Sequence, residues 1–219
     1  MDWVWDGGRP SLDLVNTYRD RKTGGREQLR EPGDLVAWLE AAGHTGARAD
    51  DERLREAREL RDAISRCVDA ALAGAERLPA TGEAQVRGQG QDRAVEQVPA
   101  AGAVPSPAPD DLAVVNAWAA RRRAPVLQLA ADLSLVRPAP ADPAEAALAE
   151  IAHDAVALLG TADRLQIRVC ASPTCGLRFT DRSNAGKRQW CSMRRCGNRE
   201  KVRLHRARLS GGSPEPPPR

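Results

Sequence analysis

The fold of the C-terminal part of this chain is decided by two short segments, CASPTC at residues 170–175 and CSMRRC at residues 191–196. Each segment begins and ends with a cysteine, and fifteen residues separate the two pairs. Two close pairs of thiols that flank one loop can form a tetrahedral cage of four sulfurs, which is the geometry that Zn²⁺ accepts without strain. Cys170, Cys175, Cys191 and Cys196 are therefore predicted to bind one structural zinc ion.

Two disulfides are the alternative for these four cysteines. The sequence opens with MDWVWD, which has early acidic residues and no apolar segment typical of a secretion signal. No run approaches the roughly 18 to 20 apolar residues of a membrane helix, so no membrane partner is expected. We expect a cytoplasmic protein, in which thiols stay reduced, and this favours zinc. The fifth cysteine, Cys67, stands alone on a predicted helix and is interpreted as a small buried hydrophobic residue.

Charge is unevenly distributed along the 219 residues. Residues 164–209 contain thirteen Lys or Arg and two acidic residues, a balance of +11, whereas the rest of the chain contains 20 basic and 28 acidic residues, a balance of −8. An acidic body with a basic C-terminal module is expected when one end of a protein binds a polyanion. The residues predicted to contact nucleic acid are Lys187, Arg188, Arg194, Arg195, Arg199, Lys201 and Arg203.

The helix predicted after Cys191 separates the metal ligand from the charge. Helical spacing places Met193, Cys196, Glu200, Leu204 and Ala207 on one face, and Arg195, Arg199, Arg203 and Arg206 on another. These cations can offset the negative charge of a four-thiolate zinc site, or form a solvated or protein-docking surface. Nucleic-acid binding is favoured, because one or two cations would be enough to offset the site and the rest still need a partner.

The rest of the chain predicts a helix-rich α+β domain over residues 1–163. Helices are predicted from Ser11 through Thr17, and over 32–42, 51–73, 110–120 and 142–159, the last begun by a capping Asp142 and by Pro143. Strands are predicted at 3–5, at 126–129 and 133–136 as a hairpin, and at 165–170. Residues 79–109 contain five Pro and four Gly and are interpreted as a disordered insertion, as is the 210–219 tail after the finger at 164–209.

No enzyme activity is expected. Catalytic zinc keeps a coordination position open for water, whereas four cysteines close the shell. The chain contains three histidines, and no Ser/His/Asp or Cys/His arrangement and no phosphate-binding glycine loop is recognisable.

The segment Trp190-Cys191-Ser192-Met193-x-x-Cys196-Gly197-Asn198-Arg199-x-Lys201, with Cys170-x4-Cys175-Gly176, Phe179-x-Asp181 and Lys187-Arg188 before it, closely resembles the CGNR zinc-finger family over about residues 165–205. The segment Gly7-Gly8-Arg9-x-x-Leu12-Asp13-Leu14-Val15-Asn16-Thr17 resembles the opening of the ABATE-type domain that usually precedes this finger. The resemblance implies that the four cysteines hold zinc in a treble-clef-like finger, a β-hairpin plus a helix.

The same resemblance implies a bacterial, stress-induced transcription regulator. Its finger would bind DNA, and its N-terminal domain would sense a signal or a small-molecule ligand. An RNA-binding or RNA-processing factor and a protein-interaction adaptor are the alternatives, because both could use the same basic finger. The sequence does not indicate an oligomeric state.

Overall fold

The computed structural model of the protein describes residues 3–75 and 106–209. Its helices are α1 (Pro10–Val15), α2 (Pro32–Ala41), α3 (Asp51–Ala75), α4 (Pro109–Ala120), α5 (Pro143–Gly160) and α6 (Asn198–Leu209). Its strands form three antiparallel pairs, β1 (Tyr18–Arg19) with β2 (Arg26–Glu27), β3 (Gln128–Leu129) with β4 (Leu135–Val136), and β5 (Ile167–Val169) with β6 (Arg178–Thr180). The predicted class, helix-rich α+β with a small C-terminal hairpin-and-helix module, is confirmed.

The main hydrophobic core surrounds α3, against which α1, α2, α4 and α5 pack. Leu60, Ile64 and Val68 recur at helical spacing along α3 and are fully buried, because apolar side chains three or four positions apart share one helix face. Leu148 and Ile151 of α5 belong to the same buried cluster. The helices predicted from periodicity are therefore confirmed, with ends that shift by one or two residues.

Local chemistry explains where α5 begins. The Asp142 Oδ1 accepts a hydrogen bond of 2.9 Å from the Glu145 main-chain N–H, and Pro143 is the first helical residue. The first N–H groups of a helix have no partner within the helix. Asp142 accepts a hydrogen bond from one of them, and Pro143 has no N–H group that needs a partner. The predicted helix start is confirmed.

The predicted hairpin at 126–136 is confirmed but its ladder is short, and its apolar side chains lie in solvent. Leu129, Leu133 and Leu135 are 71%, 77% and 60% exposed. Leu133 occupies the turn with φ of +65°, a conformation that branched side chains rarely adopt. The turn therefore includes Leu133 as well as the three residues predicted for it.

Two other features differ from the sequence predictions. The strand predicted at 3–5 is wrong, because this segment joins no ladder. The Thr180 N–H of β6 bonds to the Gly7 carbonyl at 2.9 Å, beyond the end of the segment. The β1–β2 pair was not predicted. Its six-residue connection ends in Gly24 and Gly25, both at positive φ, which are the turn signal in the sequence.

Most of the predicted 79–109 insertion and the whole 210–219 tail lie outside the described residues, although Pro109 at the end of the insertion already begins α4. Among the described helices, none combines the length and the hydropathy that crossing a membrane requires.

Candidate zinc centre and basic surface

The four predicted metal ligands meet at one point. The sulfurs of Cys170, Cys175, Cys191 and Cys196 all lie within 4.8 Å of one another, and all four side chains are buried. The Cys191 Sγ is 3.8 Å from the Cys175 Sγ and 3.6 Å from the Cys196 Sγ. A tetrahedron built on Zn–S bonds of about 2.3 Å has edges of about 3.8 Å. The sulfur cage therefore has the size for one zinc ion, and its all-thiolate chemistry suits that metal.

The first cysteine pair is held by β5, β6 and the reversal between them, which we call the first cysteine turn (residues 170–176). The Cys170 N–H donates to the Leu177 carbonyl at 2.9 Å, which closes the turn across the hairpin. Gly176 has φ of +73°, a conformation that residues with a Cβ rarely adopt. Gly176 therefore allows the chain to reverse between the two strands.

Hydrogen bonds to sulfur show how crowded the cage is. The thiols of Cys175 and Cys191 hydrogen-bond to the Cys170 sulfur and lower its pKa to about 2, and the main-chain N–H groups of Cys191 and Ser172 help. The same contact with Cys170 raises the pKa of Cys175 to about 12. Without a cation only part of this cluster can ionise. A divalent ion would replace the shared protons and hold all four sulfurs as thiolates.

The second cysteine pair begins the C-terminal helix through an irregular turn. Residues Met193–Gly197 form a π-helical turn before α6. A π turn holds more residues than an α turn, so it rotates Met193 away from the face that carries Cys196. Met193 is 50% exposed, whereas Cys196 and Glu200 are buried. The prediction that Met193 shares the buried face is wrong, and the placement of Cys196 and Glu200 on that face is right.

Glu200 ties α6 to the first cysteine turn. Its Oε1 accepts a hydrogen bond of 3.3 Å from the Ser172 hydroxyl, and its Oε2 lies 2.7 Å from the Arg203 guanidinium. The Arg199 Nη2 is 3.4 Å from the Cys196 Sγ, where a cation offsets thiolate charge. Arg199 and Arg203 are thus partly used inside the finger.

The seven cations predicted to contact nucleic acid differ in their surroundings. Lys187, Arg194 and Lys201 are exposed, and within the described ranges they make no hydrogen bond or ion pair. Arg188 stacks over the Phe179 ring at 4.7 Å and donates to the carbonyls of Trp190 and Cys191. Arg195 is only 24% exposed and points to Asp6, with Nη2 3.6 Å from Oδ2. We call the exposed side chains Lys187, Arg188, Arg194, Arg199, Lys201 and Arg203 the basic surface.

The finger does not stand apart from the N-terminal domain. The Asn16 side chain donates to the Arg178 carbonyl at 2.9 Å and accepts from the Arg178 N–H at 3.0 Å, all in a buried position. Val4 packs into the finger's own hydrophobic cluster together with Phe179 and the cysteines. Asn16 therefore acts as a bridge that completes the edge of β6, and Val4 helps to fill the finger core.

Sequence reasoning missed these contact residues. Asn16 lies in the LDLVNT segment, which predicts a short helix and resembles the ABATE-type opening, but its buried amide gives no periodic signal. Lys22 also has no recognisable signal, although its Nζ donates to the carbonyls of Cys170 and Ser172 at 2.8 and 3.1 Å. The division of the chain near residue 163 stays a prediction, and the packing crosses it.

A cavity of about 490 Å³ lies in the N-terminal domain between the second half of α3, α4, the end of α5 and the 3-10 turn Ala162–Gln166. Small or apolar residues dominate its lining, among them Ala70, Ala71, Val115 and Leu159, and Arg164 lies on its wall. Pockets of a few hundred Å³ with mainly apolar walls and one charged group are typical of small-molecule sites.

Comparison with known proteins adds two matches. Residues 166–209 match the model of the CGNR zinc finger, and residues 8–162 match the ABATE model, which carries the description "Putative stress-induced transcription regulator". A search of curated proteins found no match.

Proposed function

The chain belongs to the ABATE family, and we propose that it is a zinc-dependent transcription regulator whose finger binds DNA. One observation carries this proposal: Lys187, Arg194 and Lys201 stand exposed beside a four-sulfur cage and have no ion pair in the described part of the chain. Cations that a folded protein leaves unpaired on a rigid element are suited to phosphates. In this proposal the zinc ion is structural.

The zinc ion is proposed to do no chemistry, and no enzyme activity is proposed. Four cysteine sulfurs occupy the positions that a catalytic site would share with water. The ion would fix the first cysteine turn and the start of α6, and thereby the positions from which the basic surface reaches DNA. The cytoplasm is the proposed compartment, since its reducing conditions keep these thiols available to a metal.

The proposal is tested by salt-dependent binding. Duplex DNA, duplex RNA and single strands are titrated with the wild-type protein and with Arg194→Gln/Lys201→Gln at several salt concentrations. Loss of two phosphate contacts should lower the slope of log K against log salt for duplex DNA by about 1.8. Preference for RNA would favour the RNA-binding alternative, and no affinity for any nucleic acid would favour an adaptor.

Recovery of DNA bound in cells tests the regulatory role. A Cys191→Ser variant, which lacks one ligand sulfur, is compared with the wild-type protein. The proposal expects a recurring sequence motif in the wild-type sample that is lost in the variant. Motif-free recovery that is identical in both samples would contradict a sequence-preferring regulator.

For the N-terminal domain we propose a sensory role through the 490 Å³ cavity. A largely apolar molecule with an acidic group would fit, because the walls are apolar and Arg164 can pair with an anion. The dye anilinonaphthalene sulfonate has this chemistry and serves as a probe. Its fluorescence should report saturable binding that Ala71→Trp removes and Arg164→Gln weakens; equal binding to all three proteins would contradict the site.

A further inference from the structure

The β1–β2 hairpin of the N-terminal domain lies directly against the first cysteine turn. Lys22, in the hairpin's connection, donates from Nζ to the carbonyls of Cys170 and Ser172. The same connection approaches Gly176 so closely that a Cβ there would lie 3.3 Å from the Arg21 Cβ. The hairpin is therefore held on the finger beside the zinc cage.

Two arginines face each other across this hairpin. Arg19 of β1 is in register with Arg26 of β2. Like charges directly opposite each other on neighbouring strands are destabilising. Arg26 is 60% exposed and forms an ion pair of 3.3 Å with Asp20, which is itself 40% exposed, so water screens this pair. Arg19 has no hydrogen bond or ion pair to any residue in the described ranges.

The finger adds a third arginine to this pair. Burial lowers the pKa of Arg19, and the positive charges of Arg195 and Arg26 lower it further. Arg195 belongs to the turn that begins α6, and Arg194 next to it is exposed. Three arginines from two domains thus lie near one another at the junction, where Asp6 pairs with Arg195 and Asp20 pairs with Arg26. Arg19 is left without such a pair in the described ranges, and a polyanion would offset the repulsion that it meets from the other two arginines.

We propose that Arg19 and Arg26, together with Arg195, form a phosphate-binding site that extends the finger's nucleic-acid interface onto the N-terminal domain. This inference rests on the proposed function. The ligand is the phosphodiester backbone, so the site would add affinity and fix orientation without reading sequence. Both domains would then hold the same nucleic acid, and a change in the N-terminal domain could alter binding directly.

The test compares three proteins in titrations of a duplex DNA by fluorescence anisotropy over a series of salt concentrations. They are the wild-type protein, Arg19→Gln/Arg26→Gln, and the control Arg55→Gln/Arg122→Gln. The control removes two exposed arginines that pair with acidic residues elsewhere in the domain. The hairpin variant should lose about 1.8 from the salt slope, and the control should keep the wild-type slope.

Stability gives a second readout. Because it removes mutual repulsion, the hairpin variant should be at least as resistant to urea as the wild-type protein. If Arg19 and Arg26 served to stabilise the fold, their replacement would lower this resistance. If the double variant folds poorly, Arg26→Gln alone is used, since this side chain is exposed, and a slope change of about 0.9 is expected.

The outcomes separate the two proposals. An unchanged slope in the hairpin variants, with a lowered slope in Arg194→Gln/Lys201→Gln, overturns the composite site and leaves the finger as the DNA-binding element. Equal losses in the hairpin variant and the Arg55→Gln/Arg122→Gln control also overturn it, because they indicate a general charge effect. A wild-type protein that binds no nucleic acid overturns both.

Discussion

Replacement of Asn16 by alanine should weaken the attachment of the finger to the N-terminal domain. The Asn16 amide pairs with both main-chain groups of Arg178 in a site that water does not reach. A buried donor or acceptor left unpaired costs about 1–3 kcal/mol. Asn16→Ala leaves both the Arg178 N–H and the Arg178 carbonyl unpaired, so the free energy of unfolding should fall by about 2–6 kcal/mol. That is a large part of the roughly 5–15 kcal/mol that holds a domain together.

The assay is urea unfolding of the zinc-loaded protein, followed by hydrogen exchange of the Arg178 amide. Asn184→Ala is the matched control, because Asn184 lies exposed in the loop of the finger, and its loss should change stability by less than about 0.5 kcal/mol. In Asn16→Ala the Arg178 amide should exchange faster while amides in the middle of α3 keep their protection. A variant as stable as Asn184→Ala, with a still protected Arg178 amide, would refute the bridge.

Three further predictions concern zinc, pH and backbone space. Zinc removal, by chelation or by Cys191→Ser, should abolish exchange protection in β5, β6 and α6 and leave α3 and α5 protected; unchanged protection of the finger would show that the cage is not needed for folding. Burial raises the pKa of Asp13 from 3.8 to about 7. The folded state then holds this proton more tightly than the unfolded state, so stability should fall as pH rises from about 4 to about 7 and stay level above. Asp13→Asn should lack this slope in urea unfolding, and parallel slopes in both proteins would contradict it. Gly8 has φ of +75°, and a Cβ there would lie 2.6 Å from the Thr180 Oγ1. Gly8→Ala should therefore lower the free energy of unfolding by about 1–3 kcal/mol, and adding Thr180→Ala should restore only part of that loss, because the backbone strain remains. A Gly8→Ala protein with the wild-type thermal stability would contradict this close contact.

Features governed by local chemistry could be predicted from the sequence. Helix α5 followed from a cap, a proline and an apolar period, all within one segment, and the cysteine cluster followed from spacing and from the few geometries that thiolates and zinc share. In both cases the residues that decide the structure are close together or chemically unusual.

Features governed by distant contacts could not be predicted. The segment at 3–5 has an alternating pattern like a strand, but a strand needs several main-chain bonds to a partner, and the bond from β6 reaches Gly7 beyond this segment. The turn Met193–Gly197 is a π turn, which holds one residue more than an α-helical turn. Helical spacing therefore placed Met193 on the face of Cys196, and the structure does not. Neither the position of a π turn nor the strand edge to which Asn16 binds can be recognised from a periodic pattern in the sequence.

The packing of Val4 and Asn16 into the finger sets an order of events during synthesis. Asn16 and its partner Arg178 are separated by 162 residues. At about 5–20 residues per second, a ribosome needs roughly 10–30 s to cover that distance. Val4 and Asn16 are therefore synthesised well before the cysteines and the rest of the finger core that they contact. Contacts between residues so far apart in sequence form slowly, because a long loop has to close. Zinc binding would then be a late step of folding. A cell short of zinc would accumulate chains in which the N-terminal domain has folded and the contacts of Val4 and Asn16 with the finger have not formed.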